Sequence, residues 1–325
     1  MKKIFLAENI SSVFKGFTSN FLSSEIKFVD DLENADVVAV STPDSLVKYD
    51  EILDKKIPIV FWTNEPRFCS DSRKCYESDG RTILNFNCFT DDVLVDCFQY
   101  LWVGSYKSLS SFTQDKLIKK SSSKLVCCLA SQHGDGHGFY FKNLDIDLYQ
   151  KRRRLALALH DSNLCDIVGS GWPEGVAMNF SNEGRGSRGW SDWELEKLNF
   201  ISHYKFNLAF ENTNIENYVT EKFWHPIMAG TLPIYYSGST NIYKYIPSDS
   251  FVDYSLFNDP QEFMCFLKEM TDDEYKARLN KLIERYNEFM SDSSYLRRNR
   301  EKVARGFEAR FLSFFNDWPE SKRVF

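Results

Sequence analysis

FNLAFENTNIENYVTEKFWHPIMAGTLPIYYSG, residues 206–238, alternates short apolar runs with one polar stretch. The first run, FNLAF, and the last, TLPIYY, have the length and composition of buried β-strands. Between them, TEKFWHPIMAG has apolar residues at the spacing of a helix that buries one face. A strand, a helix and a second strand in this order predict a βαβ unit with two parallel strands.

The same alternation extends in both directions along the chain. Strands are predicted at KKIFLAE, EIKFVD, ADVVAVST, IPIVFWTN and TILNFNC in the first part, and at LVCCLAS, CDIVGSG and SFVDYS in the second. The polar segment DKLIKKSSSK, residues 115–124, separates the two series and is the best linker candidate. We therefore expect two Rossmann-like α/β domains, residues 1–120 and 121–325, the second ending in two or three helices.

Composition excludes several classes of protein. The 325 residues carry a net charge of -6, which argues against a general nucleic-acid binder. The eight cysteines show no CxxC spacing and no Cys/His grouping typical of zinc sites, so we expect a reducing compartment. No apolar stretch is long enough for a signal peptide or a membrane span. We expect a protein that is soluble or lies at a membrane surface.

Polar residues cluster where predicted strands end, which is the edge at which parallel sheets bind ligands. Glu211 and Asn212 follow FNLAF, and Thr220 predicts an N-cap for a helix that starts at Glu221. The free N–H groups of that helix favour a phosphate, and Lys222 adds a full positive charge. Glu221 would repel a phosphate but would accept hydrogen bonds from sugar hydroxyls. The pattern favours a sugar diphosphate; the alternative is that Glu221 only favours the helix dipole.

Other segments are candidates for the same edge. The arginines of KRRR, residues 151–154, open a predicted helix, where positive charge is unfavourable unless an anion lies nearby. Glu65 follows IPIVFW and is either a general base or a turn residue. VGSG, residues 168–171, indicates a tight turn or a close approach to a ligand. For QHGDGHG, residues 132–138, a flexible loop is favoured over a metal site.

The segment YKFNLAFENTNIENYVTEKFWHPIMAGTLPIYYSG, residues 204–238, resembles the signature of the α-1,3/4-fucosyltransferases, glycosyltransferase family 10. The resemblance implies a GT-B fold, in which two Rossmann-like domains face a cleft, the first binding the acceptor and the second the donor. It implies an inverting hexosyltransferase that moves L-fucose from GDP-fucose to the 3- or 4-hydroxyl of a GlcNAc-type or related sugar, in a glycan such as lipopolysaccharide. No metal or other cofactor is obligatory, although a divalent metal could stimulate the reaction.

By this resemblance, the donor is bound mainly by the polar residues of the signature. Lys222 contacts the phosphates and Glu221 holds the fucose, while Asn212 and Tyr218 belong to the same motif. An arginine at the start of the second domain's first helix also binds the pyrophosphate. Counting back from VGSG without gaps favours Arg154, with Arg153 as the alternative.

The general base of the bacterial members maps to Glu65 in WTNEP, where Asn64 and Pro66 replace the Gly and Asn of the family pattern. The resemblance to those members implies a cytoplasmic enzyme, peripheral to the inner membrane. Its expected partners are GDP-fucose and an oligosaccharide acceptor, with no nucleic acid. The basic tail, residues 295–325, would either touch an anionic membrane or pack on the first domain. Two alternatives stay open: another GDP-6-deoxysugar as donor, and a non-catalytic protein that binds nucleotides or glycans.

Overall fold

The computed structural model describes residues 1–7, 25–42, 44–45, 47–48, 57–62, 65–66, 75–78, 80–86, 107–132, 138–178 and 193–317. The chain divides into two compact units. Unit 1 comprises residues 1–105, 140–145 and 293–325, and unit 2 comprises residues 106–139 and 146–292. Each unit contains a parallel or mostly parallel sheet with helices, as the α/β fold class predicts.

Unit 1 contains a six-stranded sheet. Its strands are β1 (Lys2–Leu6), β2 (Ile26–Val29), β3 (Val37–Val40), β4 (Ile59–Trp62), β5 (Cys75–Ser78) and β6 (Arg81–Phe86). They are arranged in the order β2-β1-β3-β4-β6-β5, and every pair is parallel except β5 with β6. All residues of β3 and β4 are buried, because both faces of a central parallel strand are covered.

The strands of unit 2 are β7 (Val126–Leu129), β10 (Cys165–Val168), β11 (Phe206–Leu208), β12 (Leu232–Tyr235) and β13 (Val252–Asp253). They form a five-stranded parallel sheet in the order β10-β7-β11-β12-β13. Two short strands of unit 1, β8 (Tyr140–Phe141) and β9 (Leu144–Asp145), form a hairpin that interrupts unit 2 in the chain. Its helices are α1 (Gln114–Ile118), α2 (Tyr149–Asp161), α3 (Trp193–Ser202), α4 (Glu221–Met228), α5 (Pro260–Glu269) and α6 (Asp272–Ser291).

Both sheets place their first four parallel strands in the same relative order. In each unit the second strand lies outside the first, and the third and fourth follow on the other side. Connections leave in opposite directions from the first and third strands of such a sheet, and ligands bind at the carboxyl ends of those two strands. In unit 2 these strands are β7 and β11, so the fold itself points to the chain that follows them.

The last helix, α7 (Ser293–Asp317), belongs to unit 1. The ring of Phe307 lies 5.5 Å from that of Trp62 and 4.7 Å from that of Phe86, between ring centroids. This is the packing that the second interpretation of the basic tail expects. The structural division begins unit 2 at residue 106 and assigns α7 to unit 1, whereas the predicted boundary lies after residue 120 and leaves the last helices in the second domain. The assignment of α7 could not be predicted, because the apolar face of a helix does not reveal which sheet it covers.

Several elements were not predicted from the sequence. Strand β5 is a polar edge strand that turns into β6 at Gly80, whose φ of 78° suits glycine. Helix α1 lies inside the predicted linker and is anchored by the buried side chain of Leu117. The segment ISSVFKGFTSNFLS, residues 10–23, has apolar residues at a spacing that predicts a helix, and it lies outside the described residues. No helix in the described part of the chain is long and apolar enough to span a membrane.

Candidate functional site

A buried arginine bridges the ends of β7 and β11. Arg152, near the start of α2, is 2% exposed. Its Nη1 donates to the carbonyl oxygen of Phe210 at 3.3 Å and to Oδ1 of Asn212 at 3.2 Å. Its Nη2 donates to the carbonyl oxygen of Ser131, which follows β7, at 3.3 Å. The guanidinium therefore lies at the carboxyl edge of the sheet, between the two strands where this strand order places ligands.

One atom of this guanidinium lacks an acceptor among the described residues. The Nε atom of Arg152 is buried and has no hydrogen-bond partner among the described residues. The guanidinium is held in place by its other bonds and by the ring of Tyr149, 4.9 Å away at the centroid. A buried charged donor without an acceptor is costly, and an anionic ligand would supply the acceptor. The planar fork of arginine suits phosphate oxygens in particular.

Glu211 and Thr220 fix the start of α4. Glu211 is 1% exposed, and its carboxylate accepts from the N–H of Thr220 at 2.7 Å and from its hydroxyl at 2.8 Å. Thr220 in turn caps the helix, since its Oγ1 accepts from the N–H of Lys222 at 3.3 Å. The predicted N-cap and the helix start at Glu221 are confirmed. The carboxylate at the end of β11 thus anchors the helix N-terminus beside the sheet edge.

The ammonium of Lys222 lies between two carboxylates. Its Nζ is 3.3 Å from Oε2 of Glu211 and 3.3 Å from Oε1 of Glu221. It also donates to Oγ1 of Thr220 at 3.2 Å. The side chain of Lys222 is 22% exposed, so a ligand can reach it. Lys222 and Arg152 converge on residues 210–212, because Arg152 bonds to the first and third of these residues and Lys222 pairs with the second.

The carboxylates around this helix start differ in their proton affinity. Burial raises the pKa of Glu211, and the charge of Lys222 opposes that effect. Burial acts on Glu221 in the same direction, but the ammonium groups of Lys222 and Lys197 outweigh it and hold the pKa of Glu221 well below its usual range. Glu221 is therefore ionised at neutral pH and can accept hydrogen bonds from hydroxyl groups.

Sequence reasoning missed two buried titratable residues beside these carboxylates. Lys197 on α3 is 7% exposed, and burial lowers its pKa. His225 on α4 is fully buried, and burial together with the charge of Lys197 lowers its pKa to about 3, so the imidazole is neutral. Its Nε2 lies 3.4 Å from Oε1 of Glu194 on α3. The sequence does contain a signal for the burial of Lys197. It lies four residues before Ile201, so the two side chains share one face of the helix.

Two further predicted residues have different surroundings. Asn212 lies in the site: its side chain accepts from Arg152, and its carbonyl oxygen accepts from the N–H of Leu148 at 3.0 Å. Tyr218 is buried, and its carbonyl oxygen accepts from the hydroxyl of Tyr235 at 3.3 Å. Asn212 therefore orients the arginine, whereas a contact between Tyr218 and a ligand stays a prediction.

The structure places Arg152, rather than Arg154, at the carboxyl edge. Arg154 is exposed and Arg153 is half-buried. Residues two apart on a helix point about 200° away from each other, so Arg154 faces away from the side of α2 that carries Arg152. Arg152 is therefore the arginine that the geometry favours, while contacts of Arg154 or Arg153 with the pyrophosphate stay predictions. The ungapped count from VGSG did not select Arg152, because the length of the turn between α2 and β10 cannot be read from the sequence.

The glycines of VGSG allow two loops to pack closely. A Cβ on Gly169, whose φ is 138°, would lie 2.2 Å from the carbonyl oxygen of Ala130. A Cβ on Gly171, whose φ is 83°, would lie 1.9 Å from the carbonyl oxygen of Gln132. This close packing agrees with the tight-turn interpretation of the segment, and a close approach to a ligand stays a prediction. The turn holds the chain after β10 against the chain after β7, beside Ser131.

Glu65 belongs to unit 1, where it is half-buried shortly after the end of β4. Its role as a base stays a prediction, and the two residues before it lie outside the described part of the chain. Residues 133–137, which make up most of the QHGDGHG loop, also lie outside the described part of the chain. Within the ranges that the structure describes, no group of three or more His, Cys, Asp or Glu side chains could hold a metal ion.

The elements that carry this site lie largely within a segment that matches one family model. Residues 175–298 match the model of the C-terminal part of glycosyltransferase family 10 (fucosyltransferase). The resemblance of residues 204–238 to glycosyltransferase family 10 is thereby confirmed. The matched range includes α3, β11, α4 and β12, whereas Arg152 lies before it.

Curated relatives match the chain over short ranges. The chain is 44% identical over 73 residues to an α-(1,4)-fucosyltransferase of Arabidopsis thaliana, covering 22% of this chain and 18% of the relative. It is 43% identical over 82 residues to GDP-fucose protein O-fucosyltransferase 3 of Gallus gallus, covering 24% of this chain and 17% of the relative. The matching part is therefore less than a fifth of either relative's length.

A solved structure resembles the chain over nearly its whole length. It is that of a DNA-modifying β-glucosyltransferase, with a TM-score of 0.51, covering 94% of this chain and 99% of that chain. At 11% identity, the similarity concerns the fold alone. It agrees with the GT-B fold class that the resemblance to family 10 implied, and that prediction is confirmed.

Proposed function

We propose that the protein is an inverting fucosyltransferase that uses GDP-fucose as its donor. The observation that carries this proposal is the convergence of Arg152 and Lys222 on residues 210–212, with ionised Glu221 beside them. Two cations suit a diphosphate, and a carboxylate suits the hydroxyls of the attached sugar. The name of one relative, GDP-fucose protein O-fucosyltransferase 3, includes the donor, and the matched family segment contains α4.

In this proposal the diphosphate is bound from two directions. Arg152 donates from the switch point of the sheet, using the Nε that has no partner among the described residues. Lys222 donates from the helix side, where the dipole of α4 also favours a negative charge. Glu221 accepts from hydroxyls of the fucose. These contacts place the negative charge of the leaving group where fixed donors can stabilise it as the bond breaks.

Transfer then needs one displacement. The acceptor oxygen attacks the anomeric carbon of fucose from the side opposite the diphosphate. The bond from that carbon to the phosphate oxygen breaks, and GDP leaves with the bonding electrons. Glu65 is the proposed base that takes the proton of the acceptor hydroxyl, as the base of an inverting glycosidase does with water. One in-line step inverts the configuration at the anomeric carbon.

The acceptor is proposed to be a GlcNAc-type or related sugar, modified at its 3- or 4-hydroxyl, in a glycan such as lipopolysaccharide. The relatives differ here, since one is named for a 1,4 linkage and the other for protein O-fucosylation. The deciding experiment is a transfer assay with GDP-fucose against an array that holds both glycan and protein acceptors. We expect an α-fucosylated glycan product. Turnover on no acceptor, or retained configuration in the product, would contradict the proposal.

The alternative donors call for a binding measurement. Saturation-transfer NMR with a panel of GDP-6-deoxysugars and GDP-hexoses should show a preference for GDP-fucose, because Glu221 reads specific hydroxyls. A preference for another GDP-6-deoxysugar would favour that donor, and equal contact with all GDP-sugars would contradict the assignment of fucose. Strong binding of GDP-fucose without transfer to any acceptor would favour the non-catalytic alternative.

We also propose a cytoplasmic location with peripheral contact between α7 and an anionic membrane. Arg298, Lys302 and Arg305 are exposed and are spaced to share one face of α7. The aromatic residues of this helix pack within unit 1, so the contact would be electrostatic. The protein should sediment with phosphatidylserine vesicles and much less with phosphatidylcholine vesicles. The K302E/R305E variant should lose this difference; equal binding of the two proteins would refute the contact.

A further inference from the structure

Aromatic side chains follow three neighbouring strands of the unit 2 sheet. Phe210 lies two residues after β11, Tyr236 directly follows β12, and Tyr254 directly follows β13. The ring of Phe210 is 5.7 Å from that of Tyr236 and 5.6 Å from that of Tyr254, between centroids. Phe210 is buried, whereas both tyrosines are half-buried and keep part of their side chains accessible. The carboxyl edge of this sheet therefore carries an aromatic cluster to which the proposed function gives no role.

One buried carboxylate fixes both tyrosines. Asp253 is 4% exposed, and its Oδ1 accepts from the N–H of Ser237 at 3.1 Å and from the N–H of Ser255 at 2.9 Å. These two serines directly follow Tyr236 and Tyr254. The carboxylate thus holds the two tyrosine-bearing turns to each other before any ligand binds. Preorganised tyrosine rings lose little conformational entropy on binding, which favours them as contact surfaces.

The aromatic cluster is continuous with the cations of the candidate site. The carbonyl oxygen of Phe210 accepts from Nη1 of Arg152 at 3.3 Å, so the main chain of this residue contacts the guanidinium while its ring contacts the tyrosines. Lys151, which precedes Arg152 on α2, has its Nζ 5.8 Å from the centroid of the Tyr236 ring. A ligand that binds to Arg152 through a phosphate therefore has aromatic rings within reach of its remaining part.

We propose that Tyr236 and Tyr254 form the base subsite of the donor, where the purine ring of the nucleotide stacks while Arg152 and Lys222 bind the diphosphate. Every nucleobase has a π-face, so aromatic side chains can bind it by stacking without hydrogen bonds to its edge. This inference rests on the proposed function, because it takes a nucleoside diphosphate sugar as the ligand. It goes further by giving the base a contact of its own.

The test compares GDP with inorganic pyrophosphate, each titrated calorimetrically into the full-length chain. Both ligands carry the diphosphate, and only GDP carries a base. Tyr236→Leu and Tyr254→Leu keep an apolar side chain and remove the aromatic ring. We expect each to weaken GDP binding by about tenfold, which lies within the usual range for the loss of one stacking contact. Pyrophosphate binding should stay within about twofold of the wild type. Tyr236→Phe keeps the ring and should bind GDP nearly as well as the wild type.

Transferred nuclear Overhauser effects give a second readout that does not depend on the affinity for pyrophosphate. In a deuterated chain whose tyrosine rings alone are protonated, the H8 proton of GDP should receive magnetisation from these rings. The signal should fall in Tyr236→Leu and in Tyr254→Leu. If GDP bound to the wild type received no magnetisation from tyrosine rings, the proposal would be overturned.

Tyr204→Leu is the matched control, because Tyr204 lies before β11, at the opposite edge of the same sheet. Its hydroxyl donates to Oδ2 of Asp166 at 2.8 Å, and its ring lies 5.1 Å from that of Phe200, between centroids. Its replacement should lower the melting temperature without changing the affinity for GDP. An equal loss of GDP affinity in this variant would mean that any destabilising tyrosine substitution has the effect, and would overturn the proposal.

The outcomes distinguish a failure of this inference from a failure of the proposed function. If the wild type binds neither GDP nor GDP-fucose, the proposed function fails. If the wild type binds GDP and both leucine variants bind it equally well, only the base subsite fails. An equal loss of affinity for GDP and for pyrophosphate would mean that the tyrosines only support the phosphate site. Unchanged GDP affinity with a raised KM for the glycan acceptor would assign the rings to the acceptor. Either result would overturn the proposal.

Discussion

In the described part of the chain, the two sheets differ at the carboxyl ends of their first and third strands. In the described part of unit 1, the residues that directly follow β1 to β4 include Asp30, Asp31 and Glu65 and no cation. In unit 2, Arg152 and Lys222 reach the chain that follows β7 and β11. Both sheets share the same relative order of their parallel strands, so strand order cannot cause this difference.

Glu211 itself follows β11, so the difference lies in the cations that α2 and α4 bring to this edge. One scaffold supports an acidic edge suited to accepting a proton and a cationic edge suited to binding phosphate. In the proposed function, unit 1 supplies the base that takes the proton of the acceptor, and unit 2 binds the donor. Substitutions at the edge of unit 1 should lower the transfer rate, and substitutions at the edge of unit 2 should weaken donor binding. If both kinds of substitution had the same effects, the two edges would not differ in function.

The largest expected effect comes from the acidic edge. Glu65→Gln should lower the transfer rate by about 10²- to 10⁴-fold, which is the usual contribution of a general base. The amide keeps the shape of the side chain but cannot take the proton of the acceptor. Transfer is measured with radiolabelled GDP-fucose, and donor affinity by calorimetry. Unchanged turnover would place the base elsewhere, and a matching loss of donor affinity would remove the separation between the edges.

At the cationic edge, Arg152→Met should weaken donor binding by about 100-fold. The expectation follows from about 2–5 kcal/mol for truncating one partner of a buried charged contact. Because Arg152 also bonds to the carbonyl oxygens of Ser131 and Phe210, the melting temperature must be measured in parallel.

The Arg154→Met variant tests the alternative assignment of the diphosphate contact. The ungapped count from VGSG assigns the diphosphate to Arg154, whereas the structure exposes this side chain on another side of α2. We expect donor affinity within about twofold of the wild type, as is usual for exposed substitutions. A large loss in Arg154→Met combined with a small loss in Arg152→Met would reverse our assignment.

Lys222→Met should lose less donor affinity than Arg152→Met. We expect about tenfold to 100-fold weaker binding, because hydrogen bonds to charged groups contribute about 1.5–3 kcal/mol. Lys205→Met is the control, since Lys205 pairs with Asp272 at 2.9 Å outside the site. Calorimetry with GDP alone isolates the phosphate contact from the fucose contact. Equal GDP affinity in the two variants would argue against a phosphate role for Lys222.

The smallest effect should come from the helix cap. Thr220→Ala removes the hydroxyl that bonds to Glu211 and caps α4, and should lower the free energy of unfolding by about 1 kcal/mol. Thr220→Ser keeps the hydroxyl and should lose much less. Denaturant unfolding measures both. Equal stability of the alanine and serine variants would mean that Glu211 holds the helix start without the cap.

The sequence predicted the parts of the site that local chemistry determines. Thr220, Glu221 and Lys222 could be placed because a cap residue followed by a helix pattern has a defined geometry. Arg152 and Lys197 could not be placed in the same way. The position of Arg152 depends on the length of the turn before β10, and the burial of Lys197 depends on which face of α3 meets α4. Both are tertiary facts, as is the packing of α7 within unit 1.

The central claim is that the donor binds at the switch point of unit 2. Hydrogen–deuterium exchange with and without GDP-fucose tests it most directly, because it locates protected amides without any substitution. We predict new protection in three segments: the chain after β7, the first turns of α2, and residues 210–222. Protection confined to unit 1, or none in these segments at saturating GDP-fucose, would contradict the account.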